Sequence, residues 1–158
     1  MGGGAAVGVG VARVACHAGH RRPRRSRLVS VRRLISSGGP FEAIVGYSRA
    51  VVEGDACEVA GTTDAGPDGE SLHPGDAGAQ ARAAFVIVAA ALDQAGFTLD
   101  DVVRTRLYLV NRADIDAVLA VHGELFRDIR PAATLVLVAG LIRESLLVEV
   151  EATARRSS

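Results

Sequence analysis

Leu146-Leu147-Val148-Glu149-Val150-Glu151-Ala152-Thr153-Ala154 alternates apolar and polar side chains over most of its length. Successive side chains of an extended strand point to opposite faces. Leu146, Val148, Val150 and Ala152 therefore share one face, and Leu147, Glu149, Glu151 and Thr153 share the other. The first face belongs in a core, and the second carries two carboxylates side by side.

Working back along the chain, residues 133–139 are apolar everywhere except Thr134, which predicts a strand buried on both faces. Pro131 limits a helix over 114–129 whose inner stripe is Ile115, Val118, Leu119, His122, Leu125 and Phe126. Residues 102–110 read as a strand. A longer helix runs from an Asp76 N-cap to Ala95, with Ala77, Ala81, Ala84, Phe85, Val88 and Leu92 on one face and Gly96 as its stop. Residues 61–75, rich in Gly, Pro, Asp and Thr, form a loop, and strands 49–53 and 56–60 flank Gly54-Asp55.

These elements describe an α+β domain, a mixed sheet with two helices packed on one face. Two helices leave the opposite face uncovered. A second subunit is the expected cover, because apolar patches of that size mark interaction sites.

The 158 residues suffice for one hydrophobic core. Formal charges cancel, and no uncharged apolar run approaches the roughly 18 to 20 residues of a membrane-spanning helix. Cys16 and Cys57 are far apart and have no CxxC partner, so neither a disulfide framework nor a metal knuckle is expected. A reducing cytoplasm fits that usage. His17, His20 and His73 show no metal-ligand spacing, and no dinucleotide or phosphate-binding glycine motif is present, so no metal and no nucleotide cofactor are expected.

Residues 1–30 differ in composition from the rest. They hold Gly2-Gly3-Gly4 and the cluster Arg21, Arg22, Arg24, Arg25 and Arg27, and no acidic residue occurs before Glu42. Three readings stay open: a basic arm for nucleic acid, an organelle-type targeting peptide, or sequence upstream of the true start. The apolar stretch precedes the arginines, which reverses the order of a secretory signal. The arm supplies an electrostatic term toward phosphates but no base-reading element, so nucleic acid is not the expected partner. The folded domain is expected over 31–158.

The ordered set Gly46-Tyr47-Ser48-Arg49-Ala50-Val51, Ala60-Gly61, Gln80-Ala81-Arg82, Ala95-Gly96, Asp101-Val102-Val103-Arg104-Thr105-Arg106, Arg130-Pro131-Ala132 and Val148-Glu149-Val150-Glu151-Ala152 resembles the Rid/YjgF family across roughly residues 32–155. The resemblance implies a chorismate-mutase-like α+β fold and a homotrimer whose sheets pack inward, with clefts between subunits. It implies hydrolysis of a small imine or enamine to a carbonyl compound and ammonia, without metal or cofactor. Such chemistry requires a cation for a substrate carboxylate and an acceptor that orients water.

On that resemblance, Glu149 is the catalytic carboxylate, Tyr47 lines the site, and Gly61 lets backbone amides approach the ligand, while Ala60 stands where a serine is common. Without it, Glu149 and Glu151 are a polar strand face and Tyr47 an ordinary amphipathic side chain. The main departure follows Pro131. The deaminase pattern has an arginine two residues on, and this chain has Ala133, then Thr134. Losing such a charge-assisted contact removes about 1.5 to 3 kcal/mol of binding, roughly ten- to over a hundredfold in affinity. That points to a substrate without a free carboxylate, or to Arg106 or Arg130 as substitutes, either of which can equally be a surface ion-pair residue. His122 is either a hydrogen-bonded core histidine or an acid-base group of the site. The alternative to an enzyme is a non-catalytic small-molecule-binding or interaction protein on the same trimeric scaffold.

Overall fold

The computed structural model describes residues 31–156. The arginine-rich arm, with Cys16, His17 and His20, lies outside them. The elements in chain order are β1 (Arg33–Ile35), α1 (Pro40–Val45), β2 (Ala50–Glu53), β3 (Ala56–Thr62), α2 (Ala77–Ala95), β4 (Val102–Leu109), α3 (Ile115–Phe126), β5 (Ala132–Leu137) and β6 (Val148–Arg155).

The six strands form one sheet in the order β1-β2-β3-β6-β4-β5. Every pairing is antiparallel except β4 with β5, which run parallel because α3 carries the chain back across the sheet between them. The last strand in sequence thus sits near the middle of the sheet. Its alternation is realised: Val148, Val150, Ala152 and Ala154 are buried beneath the helices, and Glu149, Glu151 and Thr153 lie on the other face.

Helix α2 supplies most of the cover. Phe85, Val88 and Leu92 are fully buried, with Ala77, Ala81 and Ala84 beside them where small side chains let helix and sheet approach. The Asp76 carboxylate accepts a hydrogen bond from the Ala79 amide at 2.9 Å, capping the first turn, and Gly96 closes the helix with φ of 78°.

Three expectations need correction. The second helix ends at Phe126 rather than Ile129. Pro131 bars Arg130 from a right-handed helical conformation, and Arg130 takes φ of 53° while its amide donates to the Phe126 carbonyl. On that helix Leu119 is 46% exposed and Val121 is buried in its stead, because the contact stripe follows Val118, Val121 and Phe126. Strand β5 is not buried on both faces within one chain. Among the described residues it is an edge strand with β4 as its single neighbour, and only Leu135 packs partly against the core, leaving Val136 and Leu137 exposed. A short third helix, α1, also appears. Its six residues are too few to show a period, and Gly46 with φ of 80° terminates it.

Gln80, fully buried, holds the 61–75 loop and the start of β6 to α2. Its amide nitrogen donates to the carbonyls of His73 (3.1 Å) and Ser145 (2.9 Å), and its oxygen accepts from the Leu147 amide (2.7 Å). Replacing Gln80 by Ala strands three backbone groups, and each unpaired buried group costs about 1 to 3 kcal/mol. Urea unfolding of Gln80→Ala should show a loss of at least about 2 kcal/mol.

Candidate active site

The uncovered sheet face is built by register. Glu149 stands opposite Tyr108, Glu151 opposite Arg106 and Thr153 opposite Arg104. Arg106 donates to Glu151 at 3.3 Å. On the other side of β6 the pairing with β3 is regular from Ala56 to Val59, then shifts so that Thr62 meets Val150. One extra residue is accommodated there, a β-bulge containing Ala60 and Gly61.

The bulge brings the Gly61 backbone under the Glu149 carboxyl group. A Cβ on Gly61 would lie 3.1 Å from Glu149 Cδ and would collide with Oε1. A side chain at position 61 would displace the Glu149 carboxyl group from its present place. Arg49, immediately before β2, reaches the same spot: its Nη1 donates to the Gly61 carbonyl at 3.0 Å and to Thr62 Oγ1 at 2.9 Å. Nη2 lies 3.4 Å from the Tyr47 hydroxyl, with the guanidinium 5.7 Å from the Tyr47 ring centre.

Tyr47 is placed by α1. The Glu42 carbonyl accepts from the amides of Gly46 and Tyr47, and the Glu42 carboxylate is held by Ser36 Oγ (2.5 Å), Ser37 Oγ (2.6 Å) and the Ser37 amide (2.8 Å). Those donors hold the Glu42 carboxyl below its ordinary pKa. The helix is thus tied to the segment before it, and Tyr47 emerges at a fixed point beside Arg49.

Glu149 is half-buried, and burial pushes its pKa up. The neighbouring Glu151 carboxylate adds to the rise, and the Arg49 charge opposes it. Burial, then the charge of Glu151, also raises Tyr108. A carboxyl group so placed can orient a water molecule and accept its proton, with a hydroxyl and a guanidinium at hand.

Gly61 and Glu149 therefore meet, with Ala60 beside Gly61 in the bulge and Tyr47 linked to it through Arg49. Arg106 and Thr134 lie side by side on the same sheet face, one strand further over, with Arg106 engaged by Glu151. Ala133 is paired with Thr105, which turns it to the helix side at the sheet edge. Arg130 is exposed at the end of α3, its Nε donating to the Arg127 carbonyl at 3.1 Å. His122 belongs to the core layer: Nε2 is 2.9 Å from the buried Thr105 Oγ1, and the ring lies against Phe126 (4.7 Å) and Phe85 (6.0 Å). Burial lowers its pKa.

Arg49 and Tyr108 are the residues of this cluster that sequence reasoning passed over. Arg49 follows Tyr47 by two, the spacing that puts two side chains on one face of an extended segment. The signal was present. A separate groove between the 61–75 loop and α2 is lined by Leu72, His73, Asp76, Arg82 and Val86, with His73 Nδ1 3.1 Å from the buried Asp64 carboxylate. It shares no residue with the Glu149 cluster. Among the described residues, no three His, Cys, Asp or Glu side chains gather as metal ligands do, and no helix is long and apolar enough to cross a membrane.

The family model described as endoribonuclease L-PSP matches residues 38–156. The chain belongs to the Rid/YjgF family. It is 41% identical over 127 residues to an uncharacterized protein of Streptomyces coelicolor, covering 80% of this chain and 93% of that one. The 3-aminoacrylate deaminase RutC of Acinetobacter baylyi is 33% identical over 96 residues, 61% of this chain and 75% of the relative. Among solved structures, a Mycobacterium tuberculosis member of the YjgF/YER057c/UK114 family superposes with a TM-score of 0.72 at 45% identity, covering 80% of this chain and all of that one. The Rid-family domain seen here therefore has the fold of its relatives, including the α+β layering expected from the sequence.

Two titrations follow. The Glu149 carboxyl resonance should titrate above the ordinary glutamate range in a chemical-shift experiment. Glu151→Gln should bring it down by removing the like charge, and Arg49→Gln should raise it further. For His122, folding lowers a pKa that is about 6.5 when unfolded. Its contribution to stability is fully present above about pH 6.5 and is lost as pH falls through the lower folded value. Urea midpoints measured across that range should shift in favour of His122→Gln relative to wild type as the pH drops.

Proposed function

We propose that this Rid-family protein hydrolyses a small reactive imine or enamine to a carbonyl compound and ammonia. The observation that carries the reading is the half-buried Glu149 carboxyl, seated on Gly61 and flanked by Tyr47 and Arg49. The name of the Acinetobacter relative, a 3-aminoacrylate deaminase, supports the same class of reaction.

In this mechanism an enamine first takes up a proton at carbon to give the imine. Glu149 orients a water molecule and accepts its proton as the water oxygen bonds to the imine carbon. Glu149 returns that proton to nitrogen, the hydroxyl proton of the adduct follows by way of the same carboxylate, and the C–N bond then breaks to release ammonia and leave the carbonyl. A pKa raised toward neutrality suits a group that must take and return one proton. Tyr47 hydrogen-bonds the substrate.

The active assembly in this reading is a homotrimer. Leu34 and Val136 are exposed on the uncovered sheet face, and the β5 edge is unpaired among the described residues, surfaces that a neighbouring subunit would cover. A subunit there would close the Glu149 cluster into a cleft. The folded domain starts near Val31, and a cytoplasmic setting suits the free, buried Cys57. The second reading, a non-catalytic binding protein, is favoured by Ala133, a methyl group where the family's deaminase pattern has an arginine.

Ammonia release over a panel of freshly generated imines and enamines separates the two. Glu149→Gln should lower kcat by about a hundredfold or more, as removal of a general base does, while native mass spectrometry still reports a trimer. A folded trimer that releases no ammonia above the uncatalysed rate from any panel member would favour the binding protein.

A further inference from the structure

The Arg49 guanidinium is only partly used by the protein. Nη1 is committed to the Gly61 carbonyl and Thr62 Oγ1. Nη2 has only the long 3.4 Å contact to the Tyr47 hydroxyl, and Nε is buried with no acceptor. Nε and Nη2 lie on one edge of the guanidinium plane, the edge that engages a carboxylate through two parallel N–H···O bonds. Leaving such a buried donor unpaired is costly, so an acceptor that completes it gains more than an ordinary surface contact.

No carboxylate among the described residues fills that role. Among the described residues Arg49 forms no ion pair, although its charge is felt at Glu149. The other arginines considered for the purpose are occupied or remote: Arg106 is paired with Glu151, and Arg130 is exposed beyond α3. An anionic ligand next to Glu149 and Glu151 would meet two like charges, and Arg49 is the cation placed to offset them.

We propose that Arg49 anchors the ligand's carboxylate through Nη2 and, after a side-chain shift that uncovers it, Nε, so that the substrate is a small carboxylated imine or enamine despite the alanine at position 133. The inference rests on the reading of the Glu149 cluster as the ligand site. It assigns Arg49 two tasks, holding the Gly61 bulge with Nη1 and binding the ligand with the opposite edge.

The test uses the full chain and two stable probes of similar size, 2-oxobutanoate, which carries a carboxylate, and 2-butanone, which does not. Binding is followed by NMR for wild type, Arg49→Gln and Arg49→Lys, with circular dichroism as a check of folding. The expected result is that 2-oxobutanoate perturbs the Tyr47, Gly61 and Glu149 resonances of wild type. Its binding should weaken about tenfold or more in Arg49→Gln, as loss of a charge-assisted contact implies, and less in Arg49→Lys, which keeps the charge without the fork. Binding of 2-butanone should weaken far less than that of 2-oxobutanoate, since it loses only the hold of Nη1 on the bulge.

The proposal is overturned if wild type does not bind 2-oxobutanoate at tens of millimolar, or binds it no better than Arg49→Gln does. It is equally overturned if both probes are lost in parallel, since Arg49 would then serve only the bulge. Should Arg49→Gln fail to fold, the selectivity of Arg49→Lys between the two probes decides. Carboxylate binding through Arg49 without ammonia release from any imine would sink the hydrolase reading and leave the anchor standing. Turnover indifferent to Arg49 would do the reverse.

Discussion

Strand β6 lies between β3 and β4, and its strict two-residue period commits the sheet to two unlike faces. Val148, Val150, Ala152 and Ala154 are all buried against the helix layer, so slipping the strand by one residue would exchange them for Glu149, Glu151 and Thr153. Burying those carboxylates in the core without partners would cost several kcal/mol each. The register is therefore fixed, and with it the position of Glu149 on the open face. The helices, the bulge in β3 and the contact with Gly61 are all arranged around that constraint.

The electrostatics of the open face follow from it. Two glutamates two residues apart on a strand share one side, and their mutual repulsion joins burial in raising the Glu149 pKa. Glu151 is relieved by Arg106 at 3.3 Å, whereas Glu149 has no ion-pair partner among the described residues. One carboxylate is thus neutralised by its neighbour and the other left responsive to what approaches it. Divergent environments for adjacent titratable groups are a recurring feature of acid-base sites.

The helix layer explains why His122 stands apart. Its ring is wedged among Phe85, Phe126 and the Thr105 hydroxyl, on the opposite side of the sheet from Glu149. Partial burial lowers its pKa, and its side chain makes one polar contact, to the Thr105 hydroxyl, at the border of the core. The β5 edge marks the limit of what one chain covers, since the helices reach Leu135 and leave Leu137 outside, while Val136 faces the open side.

The sequence by itself determined the local and periodic features. The alternation of 146–154, the Asp76 cap, the Gly96 stop and the α2 stripe are written in neighbouring residues, where the spacing of side chains along a strand or helix leaves little choice. The ordered motifs were sufficient for the family and the α+β fold. Contacts between distant segments were decided only by the tertiary structure. The bulge that lays Gly61 on Glu149, the reach of Arg49 to that bulge, and the separation of His122 and Ala133 from it all depend on strand register. The exposure of β5 depends likewise on how far two helices extend across six strands. No local pattern encodes those distances, because they arise from packing a whole helix layer against a whole sheet.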